Sequence, residues 1–310
     1  MKILVIGGTN FIGPVTAEQL TLSGHEVILF HRSIATNIQY RQIQGDRNNI
    51  DDVSRALEIA EPDVIIDMIA LFQHQINILE QALQGKKQRV IILSSMDVYK
   101  AYEVFFGLSE ASVVSVPFDE YSPLREVFYP YRGKLETDFA NDYEKIFVEQ
   151  AALQSPVIDV IILRLGMVYG RNDPNHRFRE PVKKMSQNIK QIELPEDTAC
   201  FRSSKCYVKD AAYGIKLAAE SNICNEIYNL AAQETPTELE WYQEIAKLLN
   251  WRGNIVVTQK NSDLNTINLK QHLIADTTKI RKQLCYKEIF STLEGLDDTI
   301  RWELETIENE

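Results

Sequence analysis

Cysteine is scarce in this 310-residue chain: there are four, Cys200, Cys206, Cys224 and Cys285, and no two of them form a C-x-x-C pair. That argues against a disulfide framework and a cysteine metal site, and it fits a reducing compartment. The five histidines, His25, His31, His74, His176 and His272, are scattered without metal-ligand spacing, so no metal is expected. No run approaches the roughly 20 apolar residues needed to span a bilayer. Met1 runs directly into an apolar strand without signal-peptide architecture, and a cytoplasmic protein is expected. Positive charge is short as well: 33 Lys and Arg against 44 Asp and Glu leave a net charge of −11. Such a balance opposes binding to nucleic acid, although Arg177 to Lys184 gathers cations locally. With 45% hydrophobic and 25% charged residues, the chain can bury a large core, and small-molecule chemistry is the better expectation.

What the chain does have is concentrated at its start. Lys2-Ile-Leu-Val-Ile-Gly-Gly-Thr-Asn-Phe-Ile-Gly13 reads as a buried strand, a glycine turn and a helix start, the phosphate cradle of a dinucleotide-binding unit. Gly7, Thr9, Asn10, Phe11, Ile12 and Gly13 are its candidate cofactor-binding residues. In the G-x-G-x-x-G frame the middle glycine is replaced by Asn10, and asparagine's tolerance of positive φ is expected to preserve the turn.

Alternation continues beyond it. A helix is expected over Phe11 to Ser23, then strands over Glu26 to Phe30 and Tyr40 to Gln44, and a helix over Asp51 to Ala60. A strand over Asp63 to Ile69, a helix over Phe72 to Leu83 and a strand over Arg89 to Leu93 follow. After an irregular stretch through Pro130 come a helix near Asp138 to Leu153 and a strand over Val157 to Leu165. The pattern predicts an α/β fold with a doubly wound parallel Rossmann sheet. Past Gly170 the alternation loosens into a helix over Glu180 to Asn188 and a polar segment of short strands, where a substrate would sit. Lys209 to Ser221 and Glu226 to Leu230 return to the sheet, and amphipathic helices follow at Glu238 to Leu249 and Leu293 to Thr306.

With these pieces in order, the chain resembles the extended short-chain dehydrogenase/reductase superfamily in its NAD-dependent epimerase/dehydratase branch. The resemblance runs nearly end to end. It is carried by the glycine turn, Gly45-Asp46-Arg47, Asp67-Met-Ile-Ala70, Ser94-Ser-Met-Asp-Val-Tyr99, Arg164-Leu-Gly-Met-Val-Tyr-Gly170, Tyr207-Val-Lys-Asp210, Tyr228-Asn-Leu230 and Asp276 to Tyr286. It implies a Rossmann domain over 1–170, completed by about 205–232, and a smaller C-terminal substrate-binding domain made of 171–204 and 233–310. Nucleotide sugars are the implied substrate class, and a homodimer through the helices at 72–83 and 138–153 is an implied assembly. The resemblance also places Asp46 near the adenine amino group, Arg47 beside the ring, and Met68, Ile69 and Ala70 along the adenosine.

For the cofactor itself, NAD selection calls for an acidic residue at the end of the second strand, where a carboxylate would repel a 2′-phosphate. Here that strand ends Phe30-His31-Arg32-Ser33, and Arg32 offers a planar fork to phosphate with Ser33 as a further donor. NADP is therefore expected in preference to NAD.

Family catalysis uses a Ser or Thr, a Tyr and a Lys, the lysine's charge lowering the tyrosine pKa from about 10. Ser95, three residues before Val98-Tyr99, matches the hydroxyl position, and Lys145 with Glu149 matches the lysine. Four residues before Lys145 stands Asn141, which cannot ionise. Tyr143 lies two residues from Lys145, about 200° around a regular helix, and can substitute only where that helix begins late or is distorted. Tyr131, in Pro130-Tyr-Arg-Gly-Lys134, is a further phenol in an expected loop. Asp97 occupies the place of the acidic residue of the family's dehydratases. Tyr99, Arg177 and Arg202 are the candidate substrate residues, the arginines for a diphosphate. Arg164 and Asp210 suit a salt bridge or a ligand contact equally.

These residues suggest an NADP-binding enzyme of the epimerase/dehydratase type. Asn141 motivates a different reading, a nucleotide-binding sensor or scaffold that has lost the chemistry. A third comes from a branch of the superfamily resembling chloroplast stem-loop RNA-binding proteins, whose glycine loop also replaces the middle glycine.

Overall fold

A computed structural model describes residues 1–34, 39–134, 136–137, 139–259 and 267–309. Six apolar runs and one shorter, more polar edge strand form a single parallel sheet. They are β1 (Lys2–Ile6), β2 (Glu26–His31), β3 (Arg41–Gln44), β4 (Val64–Asp67), β5 (Gln88–Ser95), β6 (Ile158–Leu165) and a late strand, Glu226–Leu230. The spatial order is β3-β2-β1-β4-β5-β6 followed by Glu226–Leu230. Ile3, Ile65, Ile91 and Ile161 are fully buried, as expected of parallel strands covered on both faces. One face is covered by α1 (Ile12–Leu22), the other by α2 (Ile50–Ala60) and α3 (Gln73–Ala82), which supply two separate cores. The direction of winding reverses between β1 and β4, so a crevice opens beyond their carboxyl ends.

Three features of the middle of the chain differ from expectation. The irregular stretch contains α4 (Lys100–Phe105), preceded by a 3₁₀ turn over Met96–Val98. The helix expected near Asp138 to Leu153 is α5 (Lys145–Gln154), which starts about two turns later; Asp138 itself lies outside the described residues. The late start has a local cause, because Glu144 is the N-cap and its carboxylate accepts from the backbone N–H of Ile146.

Beyond β6 the chain builds a smaller C-terminal part. Two short parallel pairs form there, β7 (Met167–Tyr169) with β9 (Lys205–Tyr207), and β8 (Gln191–Pro195) with β11 (Asn254–Thr258). They pack with α6 (Arg179–Ser186), α7 (Glu196–Cys200), α9 (Glu238–Leu248) and α11 (Thr292–Glu308) around Tyr169, Phe178, Trp241 and Ile300. Between these pieces α8 (Val208–Glu220) and β10, the strand Glu226–Leu230, return to the sheet, and α8 lies beside α1. One later helix, α10 (Thr278–Gln283), also packs on the sheet, through Ile280. Among the described residues no helix is long and apolar enough to cross a membrane, and no group of three or more His, Cys, Asp or Glu is placed to hold a metal.

Candidate functional site

The glycine turn lies at the switch point, after β1. Gly7 has φ of +82°, and a Cβ there would sit 2.7 Å from the side chain of Ile69 after β4. Gly13 packs against Gly8 so closely that a Cβ would lie 2.4 Å from the Gly8 carbonyl carbon. No side chain caps α1, whose first N–H groups face the turn without a side-chain acceptor. A pyrophosphate fits that donor set: a bare turn, an uncapped helix start and an exposed Asn10. The positive φ expected at Asn10 falls instead on Phe11, at 46°, while the Asn10 carbonyl accepts from Gly13. Thr9 is half-buried, and Phe11 and Ile12 lean on the core of the C-terminal part, so the turn joins the two parts of the molecule.

On the adenosine side, Asp46 accepts from the Asn48 N–H and Ile69 is partly exposed. Arg47 is buried and ion-paired with Asp67. Ala70 is buried too, and its carbonyl is held by Lys145, so its side chain does not line the crevice. Arg47 Nε and Asp67 Oδ2 remain buried without a partner at the end of β4. Arg32 and Ser33 are exposed at the end of β2, and the Arg32 guanidinium makes no ion pair among the described residues.

Around the end of β5 the structure assembles a compact polar cluster. Ser95, half-buried, caps the 3₁₀ turn by accepting from the Asp97 N–H. Asp97 is buried, and its Oδ2 accepts from Tyr143 Oη at 2.9 Å and Tyr131 Oη at 2.8 Å, while Oδ1 has no partner. Because α5 begins only at Lys145, Tyr143 is not on the helix and the 200° argument does not apply to it. Its phenol points at Asp97, with the Ser95 hydroxyl near enough to interact with it. Lys145 lies beneath, donating to the carbonyls of Ala70 and Leu93 at 2.7 and 2.8 Å, its ammonium 5.9 Å from the Tyr143 ring centre. Asn141 is exposed in the preceding turn, its carbonyl accepting from Arg132 Nε.

Burial dominates the electrostatics. It brings Lys145 down to about 8, against the opposing pull of Asp67 and Asp97. Burial also raises Asp97, although Arg125, the two phenols and Lys145 all favour its anion. Tyr131 and Tyr143 are pushed well above the ordinary phenol range by burial first and by the Asp97 charge second.

The cluster is fastened by a pair that no sequence pattern announces. Arg125 and Glu144, both buried, pair at 2.9 Å, and Arg125 also donates to the carbonyls of Asp97 and Val127. Glu144 further accepts from the Tyr129 N–H. Tyr131 was the one extra phenol visible in the sequence, and its expected loop setting holds, but its hydroxyl reaches the site.

Three expected substrate residues do not join this cluster. Tyr99 is fully buried, packed on Phe118 and donating to Asn229 Oδ1 at 2.6 Å, so it belongs to the core. Arg177 donates to Asp173, although its charge reaches Tyr102 on α4. Arg202 is exposed on a bridge with Thr237, its backbone N–H bonded to His272. Arg164 is committed to Glu149 and stacks over Tyr99, and Asp210 accepts from the Ile289 and Phe290 N–H groups, so both are structural.

Comparison with known proteins adds to this geometry. Residues 3–231 match the model of the NAD dependent epimerase/dehydratase family. The chain is 24% identical over 346 residues to a UDP-N-acetyl-alpha-D-glucosaminuronate decarboxylase of Bacillus cytotoxicus, covering 100% of this chain and 99% of that one. It is also 24% identical over 330 residues to the chloroplast stem-loop binding protein of 41 kDa b of Arabidopsis thaliana, covering 96% of this chain and 78% of that one. A UDP-glucose-4-epimerase of Stenotrophomonas maltophila, solved with bound NAD and formylated UDP-arabinopyranose, superposes with a TM-score of 0.76 at 15% identity, over 100% of both chains.

Proposed function

The chain belongs to the NAD dependent epimerase/dehydratase family, and on that premise we propose that it is a nicotinamide-dependent enzyme acting on a nucleotide sugar, of the epimerase, dehydratase or reductase type. The observation that carries the reading is the convergence of Ser95, Tyr143 and Lys145 at the end of β5, beside the glycine turn's crevice. A bound nicotinamide supplies the hydride acceptor and donor. The protein's own residues then orient a sugar hydroxyl through Ser95 and exchange its proton at Tyr143 Oη. In this reading Tyr143 takes the place that four-residue spacing would give to Asn141, because α5 starts late enough to release it.

Gly7, Thr9 to Gly13, Asp46, Ile69, Arg32, Ser33 and Lys145 are the residues we assign to the cofactor. The Stenotrophomonas epimerase holds NAD. This chain presents Arg32 and Ser33 where NAD selection calls for a carboxylate, and NADP is the cofactor we assign. Arg202, exposed and without an ion pair among the described residues, is the cation we assign to the diphosphate of the sugar nucleotide.

Titration with NADPH and NADH, followed by nicotinamide fluorescence, tests the assignment. NADPH is expected to bind more tightly, and Arg32→Ala to weaken it about tenfold or more while leaving NADH little changed. Equal binding of both by the R32A variant and the parent would refute the NADP assignment, and binding of neither would remove the enzyme reading.

The similarity to the Arabidopsis stem-loop binding protein favours one second reading, an RNA-binding relative. A net charge of −11 opposes it. Retardation of an RNA hairpin at 50 mM salt, lost steeply toward about 200 mM, would support it over the enzyme.

A further inference from the structure

We propose that Asp97, Tyr131 and Tyr143 form one proton-sharing unit, in which Asp97 is the final acceptor of the proton that Tyr143 takes from a substrate hydroxyl. The proposal rests on the nucleotide-sugar reaction proposed above and says how this chain performs it without a tyrosine one helical turn before its lysine. Both phenols donate to the same carboxylate oxygen, Oδ2, from opposite ends of the segment 131–143. The other oxygen, Oδ1, is buried and has no hydrogen-bond partner among the described residues, so the carboxylate has capacity to spare. Lys145 spends its ammonium on two backbone carbonyls and stands 5.9 Å from the Tyr143 ring, where it acts only through its charge. The group to which the Tyr143 phenol donates is Asp97.

The proton balance is simple. The substrate O–H bond breaks and its proton goes to Tyr143 Oη, while Tyr143's own proton passes to Asp97 Oδ2. The electron pair left on the substrate oxygen would form the carbonyl, the C–H hydride being taken up by a nicotinamide held at the glycine turn. In the return direction each transfer reverses. Tyr131 keeps its proton throughout and continues to donate to Asp97, so it is a positioning residue that sets how readily the carboxyl holds the shared proton. Among the described residues, the titratable groups that bear on Asp97 include Tyr102 on α4, Arg125, Tyr131 and Tyr143 before α5, and Lys145 at its start. Burial outweighs the groups that favour the anion, which makes Asp97 a competent proton holder above the usual carboxylate range.

Infrared spectroscopy of the full chain provides the test. The carbonyl stretch of the protonated Asp97 carboxyl, identified by its loss in Asp97→Asn, is followed against pH in the parent, Tyr131→Phe and Tyr143→Phe, with thermal unfolding to verify that each variant is folded. Each phenol favours the carboxylate, so removing either is expected to move the carboxyl's titration to higher pH. In parallel, conversion of UDP-glucose and of UDP-glucuronic acid with NADP⁺ or NAD⁺ present is followed by chromatography of the nucleotide sugars. D97N is expected to slow it about 100-fold or more, and Y131F to shift the acidic limb of its pH profile upward by the same amount as the infrared titration. A titration that ignores Tyr131→Phe, or a D97N variant that converts the nucleotide sugar at the parental rate, overturns the proposal. Failure of the parent to convert either nucleotide sugar removes the reaction assigned above, and the infrared titration then still decides whether the proton is shared.

Discussion

Replacing Glu144 by Ala is expected to be far more damaging than its place in a loop-to-helix junction suggests. The Glu144 carboxylate accepts from Arg125 Nη2 at 2.9 Å and Nη1 at 3.3 Å, from the Tyr129 N–H at 2.7 Å and from the Ile146 N–H at 3.0 Å. Truncation leaves the Arg125 guanidinium buried with only the carbonyls of Asp97 and Val127, a stranded charge that costs about 3–5 kcal/mol. Loss of the N-cap adds about 1 kcal/mol, not fully additive because the contacts share atoms. A net loss of about 4 kcal/mol against a total stability of about 5–15 kcal/mol leaves a marginal fold. Urea unfolding followed by circular dichroism reads the loss as a lower midpoint at unchanged slope. Glu144→Gln, which keeps one carbonyl oxygen and so an acceptor for one of the two N–H groups, is expected to recover part of it. A loss below about 1 kcal/mol in E144A would refute the view that this buried pair fastens the site.

Two further outcomes follow from the site. Gly13→Ala pushes a methyl group against the Gly8 carbonyl, so a stability loss of about 1–3 kcal/mol and at least about tenfold weaker NADPH binding are expected from denaturation and fluorescence titration. Lys145, held down to about 8 by burial, binds less proton in the folded chain than in the unfolded one between that pH and the ordinary 10.5. Its contribution to stability therefore rises with pH across that window, and Lys145→Met is expected to flatten the slope of unfolding free energy between pH 8 and 10 relative to the parent. Identical slopes would contradict the assigned burial of the ammonium.

Much of the sheet was legible because its strands carry their own evidence. Ile3 to Ile6 and Val90 to Leu93 are apolar runs with no competing periodicity, and the strand Glu226–Leu230 was placed to the residue. The start of α5 was not legible. Phe139 to Glu144 continues into Lys145 to Gln154 without a proline or glycine, and the start is marked by Glu144 as N-cap, a side chain also held by Arg125 from 19 positions earlier. Tyr143 looked misplaced for the same reason. Tyr99 was misjudged in the other direction, since its motif suggested a substrate contact while Asn229 and Phe118, distant in sequence, enclose it. The strand Asn254–Thr258 and α10 were missed because short elements at the edge of a small part take their shape from partners, β8 and β10 respectively.

The position of β10 has a consequence for the chain during its synthesis. β6, whose residues Val160 to Leu163 are wholly enclosed in the finished molecule, receives its outer neighbour only when residue 230 has been made. At about 5–20 residues per second, the interval between Leu165 and Leu230 lasts roughly 3–13 s. Throughout it the nascent sheet ends in an apolar strand with open hydrogen-bonding groups, the kind of edge onto which another chain can add. The late return that completes the sheet thus makes the ribosome-bound intermediate, rather than the finished protein, the form most in need of chaperone protection.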